Sequence, residues 1–482
     1  MIAVQEHPEE TRPNPLRNTL RRRMVRPQRH RLLQGYPMAP LLSPVAPGFD
    51  PFRGLDLDDE RPLLVGVLPH TFCNPRVKGC GFCTFPHERF EQPAMRRVVE
   101  QVAREIEATA AAVPSLGKRR VEAVYFGGGT ANLTPPEELA SLGAALESSL
   151  DVGDAEVTLE GVPRYFLLRS EALLDVLAKM KVRHRRISMG VQSFDPGWIQ
   201  QMGRDAFGDR TVIRMAVEAA HARGFTVSAD LLFNLPGAPT SLALEDVRTA
   251  CELGFDQICV YNLVLTEDLD TEWARDTSLV NRMPDPEKAC STWLAVRDLL
   301  LESGFVQTTL TNFERAGVAS SRRRFAYERA SFQPHAYDAI GFGPGALSTF
   351  TSRDRATARK WMNEASSAAY SDRRAEHGRA AAGVFDYAPI DLRLLHLTRG
   401  LSRLAIDGAA YESFFGVEPH HDFRDRFSVL EDAELIRRRG KTLTLTPEGM
   451  FYADAVAGFL SEDRVRELRP GLEQRPVHAH MG

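Results

Sequence analysis

Residues 121–142, VEAVYFGGGTANLTPPEELASL, contain the unit that decides the fold. VEAVYF is an apolar run of strand length, three glycines end it, and the segment from Pro135 has the apolar spacing of a helix. The same strand–helix alternation recurs between about residues 61 and 270 and supplies six apolar strands. Strands that are apolar on both faces and separated by amphipathic helices pair in parallel through right-handed crossovers. The sequence therefore predicts an α/β fold, either a barrel or an open sheet.

Glycines and polar residues mark the carboxyl ends of these predicted strands. In parallel α/β sheets those ends lie on one side of the sheet, where ligands bind. A cysteine-rich loop follows the first strand. The ends of the next four strands carry Gly127, Gly128, Gly129, Glu160, Gln192 and Asp230. We expect these residues to face one common site.

Composition divides the chain into five parts. We predict an Arg- and Pro-rich arm over 1–60, the barrel with an extension over 61–350, a linker over 351–385, a helical module over 386–470 and a tail over 471–482. Seven arginines and no acid in residues 17–31 predict a solvated or partly ordered arm. Helices followed by a short hairpin in the fourth part indicate a winged-helix-like module. Its candidate recognition helix carries as many acids as bases, which favours a structural or substrate-covering role over DNA binding.

Charge and hydropathy exclude several classes of partner. The formal net charge of −4 does not favour a nucleic-acid-binding surface. No apolar run approaches 18 residues, so we expect neither a membrane-spanning helix nor a signal peptide. Six cysteines in 482 residues do not form a secreted disulfide framework, so we expect a reducing, cytoplasmic location. Cys251, Cys259 and Cys290 stand alone in apolar surroundings and are expected to fill core space.

The other three cysteines lie together in HTFCNPRVKGCGFCTFP, residues 70–86, as Cys73, Cys80 and Cys83. A structural zinc site needs four ligands, which His70 or His87 could complete. A CxxC redox pair would not need Cys73. A [4Fe–4S] cluster with three cysteine ligands leaves one iron open for a substrate, which accounts for the missing fourth cysteine.

Six motifs in order now resemble one family. They are the cysteine loop, YFGGGTANLTPPEELASL, VTLEGVP, RISMGVQSFD, ADLLFNLPG and GFGPGALS. Together they resemble radical S-adenosylmethionine (SAM) enzymes of the HemN-like group over residues 60–350, and the C-terminal module resembles the C-terminal domain of that group. The resemblance implies a partial (β/α)6 barrel that holds a [4Fe–4S] cluster and SAM.

The resemblance also implies roles for individual residues. Cys73, Cys80 and Cys83 would hold the cluster. Arg204 would pair with a carboxylate, for which its planar fork is suited, and Phe82 would pack near the adenine. The residues that would contact SAM are Gly127, Gly128, Gly129, Thr130, Glu160, Gln192 and Asp230.

Three departures separate this chain from the haem-pathway members of the group. Six residues instead of three separate the first two cysteines, Phe85 replaces a further cysteine, and Val67 replaces a tyrosine. The QGYPMAP segment, residues 34–40, resembles an N-terminal segment that reaches into the active site of larger members. Arms of this type are similar to those of class C radical SAM methyltransferases and their cyclopropane-forming relatives.

The class C resemblance implies two SAM molecules, one of which supplies the radical and the other the carbon. It implies Gly343 and Leu347 near the second SAM, and Tyr261 or Glu160 as the final base. The expected reaction is methylation or cyclopropanation of an sp² carbon in a small, unsaturated specialised metabolite. Expected protein partners are a flavodoxin or ferredoxin as electron donor and a partner methyltransferase. Oxidative decarboxylation of a porphyrinogen-like substrate, or a non-catalytic haem chaperone, are the alternatives.

Overall fold

The computed structural model describes residues 14–30, 36–73, 80–85, 87–266 and 269–470. The arm contains α1 (Pro15–Met24) and β1 (Ser43–Pro44). The predicted tail over 471–482 lies outside the described residues.

Six parallel strands form the central sheet, as the sequence predicts. The strands up to residue 262 are β2 (Leu63–Val67), β3 (Phe72–Cys73), β4 (Glu88–Arg89), β5 (Val121–Phe126), β6 (Glu156–Gly161), β7 (His184–Gln192), β8 (Thr226–Phe233) and β9 (Gln257–Asn262). The helices between them are α2 (Gln92–Ala112), α3 (Pro136–Ser149), α4 (Pro163–Phe166), α5 (Leu168–Lys179), α6 (Pro196–Gln201), α7 (Arg210–Ala222) and α8 (Thr240–Glu252). Strands β2, β5, β6, β7, β8 and β9 pair in parallel in that order.

The chain after β9 extends this sheet at both edges. Its helices are α9 (Glu272–Arg275), α10 (Thr277–Val280), α11 (Pro286–Glu302), α12 (Ala316–Ala319), α13 (Ala326–Ser331) and α14 (Ser367–His377). Its strands are β10 (Phe305–Gln307), β11 (Asn312–Arg315), β12 (Asp338–Phe342), β13 (Leu347–Thr351), β14 (Ala358–Asn363) and β15 (Ala381–Tyr387). β12 adds a further parallel strand beside β2, and β13, β14, β15 and β1 continue from it in antiparallel pairs.

Within the described residues, the edge strands of this sheet are β1 and β10, which do not pair with each other. The sheet therefore stays open, and the predicted partial barrel is confirmed. None of the described helices combines the length and apolar character needed to cross a bilayer.

The predicted linker over 351–385 is wrong, because that segment supplies β14, α14 and most of β15. The sequence of β14, ARKWMN, places two cations in a strand, and charge of that kind obscures the apolar pattern of a core strand. Lys360 is nevertheless buried there. The segment is part of the central sheet.

The C-terminal module packs helices around a small sheet. Its elements are α15 (Pro389–Ser402), β16 (Ala405–Asp407), α16 (Gly408–Phe415), α17 (Pro419–Asp422), α18 (Arg424–Asp432), β17 (Ile436–Arg439), β18 (Thr442–Leu445), α19 (Pro447–Phe451) and α20 (Ala453–Leu468). β17 and β18 form the expected hairpin, and β16 adds a third antiparallel strand. The helical C-terminal part agrees with the sequence-based expectation.

The described part of the arm is fixed to this module rather than solvated. The Nε of Arg23 donates to Glu462 of α20 at 3.0 Å, and both side chains are buried. A Cβ at Gly458 would lie 2.4 Å from Nη1 of Arg23, so this glycine gives the guanidinium its room. The backbone N–H of Ala455 donates to Oε1 of the buried Gln28 at 3.0 Å. Of the two predicted alternatives, these contacts correspond to the partly ordered arm; the partners of Arg23 and Gln28 lie more than 400 residues away in sequence.

Breaking the buried ion pair should destabilise the protein. In Glu462→Gln the free energy of unfolding should fall by about 3 kcal/mol, because Arg23 stays buried without its anion. Glu467→Gln removes an exposed partner of Arg464 and should cost less than about 1 kcal/mol. Urea denaturation followed by circular dichroism gives both values. Equal losses in the two variants would contradict the buried pair as the anchor of the arm.

Candidate active site at the carboxyl ends of the strands

A cavity of about 150 Å³ opens at the carboxyl ends of the barrel strands. It brings together most of the residues predicted from the sequence. Those that line it are Cys73, Cys80, Phe82, Cys83, Gly128, Gly129, Thr130, Glu160, Gln192, Arg204, Asp230 and Tyr261. A larger surface groove of about 600 Å³, between α1 and α18, contains none of the predicted site residues.

The three clustered cysteines are free thiols at the wall of this cavity. Oγ1 of Thr130 donates to Sγ of Cys73 at 3.5 Å, and Nη1 of Arg204 donates to Sγ of Cys80 at 3.0 Å. Burial raises the pKa of the Cys73 thiol to about 11. This thiol is therefore protonated at neutral pH unless a bound metal displaces the proton.

In the described parts of the chain, no group of three or more His, Cys, Asp or Glu side chains surrounds a single ion position. The zinc hypothesis also loses His70, whose ring is buried. Its Nδ1 accepts from the N–H of Phe72 at 3.2 Å, and its Nε2 lies 3.2 Å from Oγ1 of Thr134. Burial lowers its pKa to about 4, so it is a neutral structural histidine. A four-iron cluster does not need ligands around one point, since each thiolate binds a different iron.

The glycines after β5 let the cysteine loop approach the end of that strand. A Cβ at Gly129 would lie 2.8 Å from the carbonyl oxygen of Thr71 and 3.0 Å from that of Phe72. Gly128 has φ +106°, a conformation that other residues rarely adopt. Any side chain at Gly129 would therefore push β3, and with it Cys73, away from β5.

The polar residues on β6, β7 and β8 are held in fixed positions. The hydroxyl of Tyr125 donates to Oε2 of Glu160 at 3.0 Å. Oγ of Ser188 lies 3.4 Å from both carboxylate oxygens of Asp230. Gln192 has φ +72° at an irregularity in the pairing of β7 with β8. Non-glycine residues in this conformation concentrate at functional sites, which agrees with the predicted role of Gln192.

Arg204 is buried between this cavity and a neighbouring one of about 180 Å³. Besides contacting Cys80, its guanidinium donates to the carbonyl oxygen of Gly190 and lies 4.8 Å from the centre of the Phe207 ring. These contacts fix the planar guanidinium group of Arg204 next to the cysteines. The position suits the carboxylate-binding role that the resemblance implies, which stays a prediction.

A model of the radical SAM superfamily matches residues 67–242, a segment that contains the predicted cavity residues except Tyr261. The chain contains a radical SAM domain. Anaerobilin synthase of Escherichia coli O157:H7 is 29% identical over 287 residues, covering 59% of this chain and 60% of that relative. Oxygen-independent coproporphyrinogen III oxidase of Bradyrhizobium diazoefficiens is 27% identical over 330 residues, covering 65% of this chain and 68% of that relative.

The fold of the radical SAM domain and its surroundings also has a solved counterpart. The structure of coproporphyrinogen III oxidase (HemN) from Escherichia coli matches with a TM-score of 0.71 and 19% identity, over 89% of this chain and 96% of the other. The chain spans about 60% of the length of the first curated relatives it matches. HemN-like homologues and the HemN-like fold thus agree with the resemblance seen in the sequence.

The residues of the radical SAM domain fit the cofactors of that superfamily, a [4Fe–4S] cluster and SAM. Three thiols stand at one wall without a fourth cysteine among the cavity residues, and the glycine backbone after β5 leaves space beside them. Sites for ligands of the size of SAM enclose roughly 300–1,000 Å³. We therefore expect lining side chains to move when SAM binds.

Three predicted residues, Gly127, Gly343 and Leu347, are not among those that line the cavity. A Cβ at Gly127 would lie 3.1 Å from Oε2 of Glu160, so this glycine borders a residue that does line it. Gly343 packs against the end of β2, where its Cβ would lie 2.0 Å from the carbonyl oxygen of Leu68. Its N–H donates to Oε2 of the buried Glu105 at 2.8 Å. Leu347 is 44% exposed at the start of β13. The structure does not bring Gly343 or Leu347 to the cysteines, and their proximity to a second SAM stays a prediction.

Arg29 of the arm lines the cavity and was not predicted as a site residue. Its Nη2 donates to Oγ1 of Thr84, next to Cys83, at 2.8 Å. The backbone N–H groups of Arg29 and His30 both donate to Oδ2 of Asp454 in α20. Nδ2 of Asn262, at the end of β9, donates to the carbonyl oxygen of Gln28 at 2.6 Å. The local sequence does not distinguish Arg29 from the other six arginines as a cavity residue, because its contacts are distant in sequence.

Replacing Gly129 should reduce cluster loading. In Gly129→Ala the new methyl group meets backbone atoms that cannot rotate away, so Cys73 should shift. We expect the iron bound per chain after anaerobic reconstitution to fall several-fold.

Gly317→Ala is the matched control, since nothing lies within 4 Å of the added Cβ. It should load iron like the wild-type protein. Full loading of Gly129→Ala would contradict the proposed role of the close approach.

Proposed function

We propose that this protein is a radical SAM enzyme that cleaves SAM reductively and acts on a small molecule. The observation that carries the proposal is the convergence of Cys73, Cys80 and Cys83 on the cavity that also holds Glu160 and Asp230. When bound, the cluster supplies the electron that breaks the S–C5′ bond of SAM and yields a 5′-deoxyadenosyl radical.

In this proposal, the residues of the chain bind and orient the cluster and SAM. Cys73, Cys80 and Cys83 would hold the cluster through three irons. Arg204, whose fork is fixed by Gly190 and Phe207, would pair with the carboxylate of SAM. Glu160 and Asp230 would accept hydrogen bonds from hydroxyl and amino groups of SAM, along with Gln192 and Thr130. Phe82 would border the adenine; its ring contacts Trp273 edge-on, with ring centroids 5.6 Å apart.

The finer proposal is a one-carbon transfer, methylation or cyclopropanation, that uses a second SAM and an sp² carbon of a specialised metabolite. It is supported by Phe85 in place of the cysteine of the haem-pathway enzymes and by the arm, whose Arg29 enters the cavity. We assign the final base to Glu160 or Tyr261, which both line the cavity. An electron donor of the flavodoxin or ferredoxin type, a partner methyltransferase and a cytoplasmic location belong to the same proposal.

A second candidate is oxidative decarboxylation of a porphyrinogen-like substrate. It is supported by the 27% identity to a coproporphyrinogen III oxidase over 330 residues. A third is a haem chaperone, supported by 25% identity to the heme chaperone HemW of Lactococcus lactis over 271 residues. Phe85 and the enlarged cysteine loop count against the second candidate.

The test is anaerobic reconstitution with iron and sulfide, followed by reduction in the presence of SAM. We expect 5′-deoxyadenosine and S-adenosylhomocysteine in matched amounts with a competent substrate. Cys80→Ala should abolish 5′-deoxyadenosine formation. Cys251→Ala, which removes a lone half-buried thiol, should retain it.

The products separate the candidates. Formation of 5′-deoxyadenosine without S-adenosylhomocysteine favours hydrogen abstraction without carbon transfer, as in the decarboxylase. Absence of both products from a fully loaded protein, together with stoichiometric haem binding, would contradict the radical SAM proposal and favour the chaperone.

A further inference from the structure

A buried carboxylate lies outside the cavity, on the helix that follows β8. Asp246 of α8 is 3% exposed and shares the buried face of that helix with Ala243, Val247 and Ala250. This face of an amphipathic helix is normally apolar, so an acid on it needs polar partners nearby. Asp246 is not among the residues that line the active-site cavity or the neighbouring cavity beside Arg204.

The polar partners of Asp246 are the first two residues after β7. The hydroxyl of Ser193 donates to Oδ2 of Asp246 at 2.7 Å, and the backbone N–H of Phe194 donates to Oδ1 at 2.7 Å. The backbone N–H of Asp195 donates to Oγ of Ser193 at 3.1 Å. These contacts fix residues 193–195, which we call the β7 turn, to α8.

Asp246 holds the β7 turn as an ionised group. Burial raises the pKa of Asp246 to about 6, and the hydrogen bonds from Phe194 and Ser193 oppose that rise. The carboxyl group is therefore mostly deprotonated at neutral pH. Hydrogen bonds to a carboxylate are shorter and stronger than those between neutral groups, so they hold a backbone segment that would otherwise relax.

The β7 turn directly follows Gln192, whose backbone is strained. Its φ of +72° is unfavourable for a residue with a side chain and persists only where the surrounding structure fixes it. Asp246 fixes the chain on one side of Gln192. On the other side, the guanidinium of Arg204 donates to the carbonyl oxygen of Gly190. Loss of the carboxylate would let Gln192 relax and move its side chain, which lines the cavity.

The β7 turn also begins the segment that returns the chain to the cavity at Arg204. Oδ1 of Asp195 accepts from the backbone N–H of Trp198 at 2.9 Å and so caps α6. The backbone N–H of Arg204 donates to the carbonyl oxygen of Ile199 in α6 at 2.9 Å. The position of α6, and with it that of Arg204, therefore depends on the turn that Asp246 holds.

We propose that Asp246 is a positioning residue for SAM binding, which holds Gln192 and Arg204 in place through the β7 turn without touching SAM. The inference rests on the proposed radical SAM function and adds to it a residue outside the cavity. The apolar residues of α8 could not replace the carboxylate, because its removal leaves the N–H of Phe194 and the hydroxyl of Ser193 without their acceptor.

The first test measures the Kd for SAM by anaerobic calorimetry on oxidised, reconstituted protein, which binds SAM without cleaving it. All samples are compared at equal iron per chain. Asp246→Ala should raise this Kd about tenfold or more, because both hydrogen bonds to the β7 turn are lost. Asp246→Asn keeps the size of the side chain and one acceptor oxygen, so its Kd should lie between those of Asp246→Ala and the wild-type protein.

Glu245→Ala is the matched control, since Glu245 precedes Asp246 in α8 and its side chain is 66% exposed in a pair with Arg248. It should bind SAM like the wild-type protein. A wild-type Kd in cluster-loaded Asp246→Ala, even with a lowered melting temperature, would assign Asp246 a structural role only and overturn the inference. An equal rise in Glu245→Ala would also overturn it. If Asp246→Ala does not load iron, Asp246→Asn decides by the same criterion.

A double-mutant cycle tests whether Asp246 acts through Gln192. Gln192→Ala should itself weaken SAM binding. In that background, adding Asp246→Ala should raise the Kd by a smaller factor than in the wild-type protein, because the side chain that Asp246 positions is already absent. Equal factors in the two backgrounds would overturn the inference, since independent sites have additive effects on the binding free energy.

The two proposals fail separately. A protein that binds SAM, more weakly in Asp246→Ala, but yields no 5′-deoxyadenosine after reduction keeps the positioning residue and loses the enzymatic proposal. A protein that yields 5′-deoxyadenosine and binds SAM equally well with and without Asp246 keeps the radical SAM function and loses the positioning residue. A loaded wild-type protein that does not bind SAM loses both.

Discussion

The approach of the Gly129 backbone to the carbonyl groups of Thr71 and Phe72 is the constraint on which the site depends. It joins the end of β5 to the strand that carries Cys73, and so places a half-buried thiol on the cavity that Glu160 and Asp230 also line. The thiol is protonated when metal-free, since burial raises its pKa. A metal bound by Cys73 would therefore displace the proton of this thiol.

The arm contributes Arg29 to the site, and the C-terminal module holds the arm in place. Asp454 receives two backbone N–H groups of the arm, and Arg29 extends from that point to the cysteine loop. Burial raises the pKa of Asp454, and the hydrogen bonds from the backbone N–H groups of Arg29 and His30 oppose that rise. Segments hundreds of residues apart in sequence thereby form the walls of one cavity. The position of the arm also brings the carbonyl oxygen of Pro37 onto Nζ of Lys360, which links the arm to β14 of the central sheet.

The ends of the parallel strands could be predicted from the sequence, because functional residue types and the apolar pattern of a strand occur together there. Apolar periodicity and chemically distinctive residues occur together within a few residues in VEAVYF with its three following glycines. The same holds for the apolar runs that contain Glu160 and Asp230. The antiparallel strands after β12 have weaker sequence signals, because Arg359 and Lys360 give β14 the composition of a linker. The arm itself was predictable, but its anchoring was not, because Arg23, Gln28 and Arg29 are fixed by contacts with α20 that no local pattern encodes. Gly343 matched a motif, yet Glu105 and Leu68 hold it away from the cavity.

The central claim is that three cysteines hold a cluster with one iron open to SAM. Electron paramagnetic resonance of the reduced, reconstituted protein, recorded with and without SAM, tests it most directly. The account predicts the spectrum of a [4Fe–4S] cluster whose signal changes when SAM binds to the open iron. A spectrum that SAM leaves unchanged, or a protein that binds zinc in place of a cluster, would contradict it.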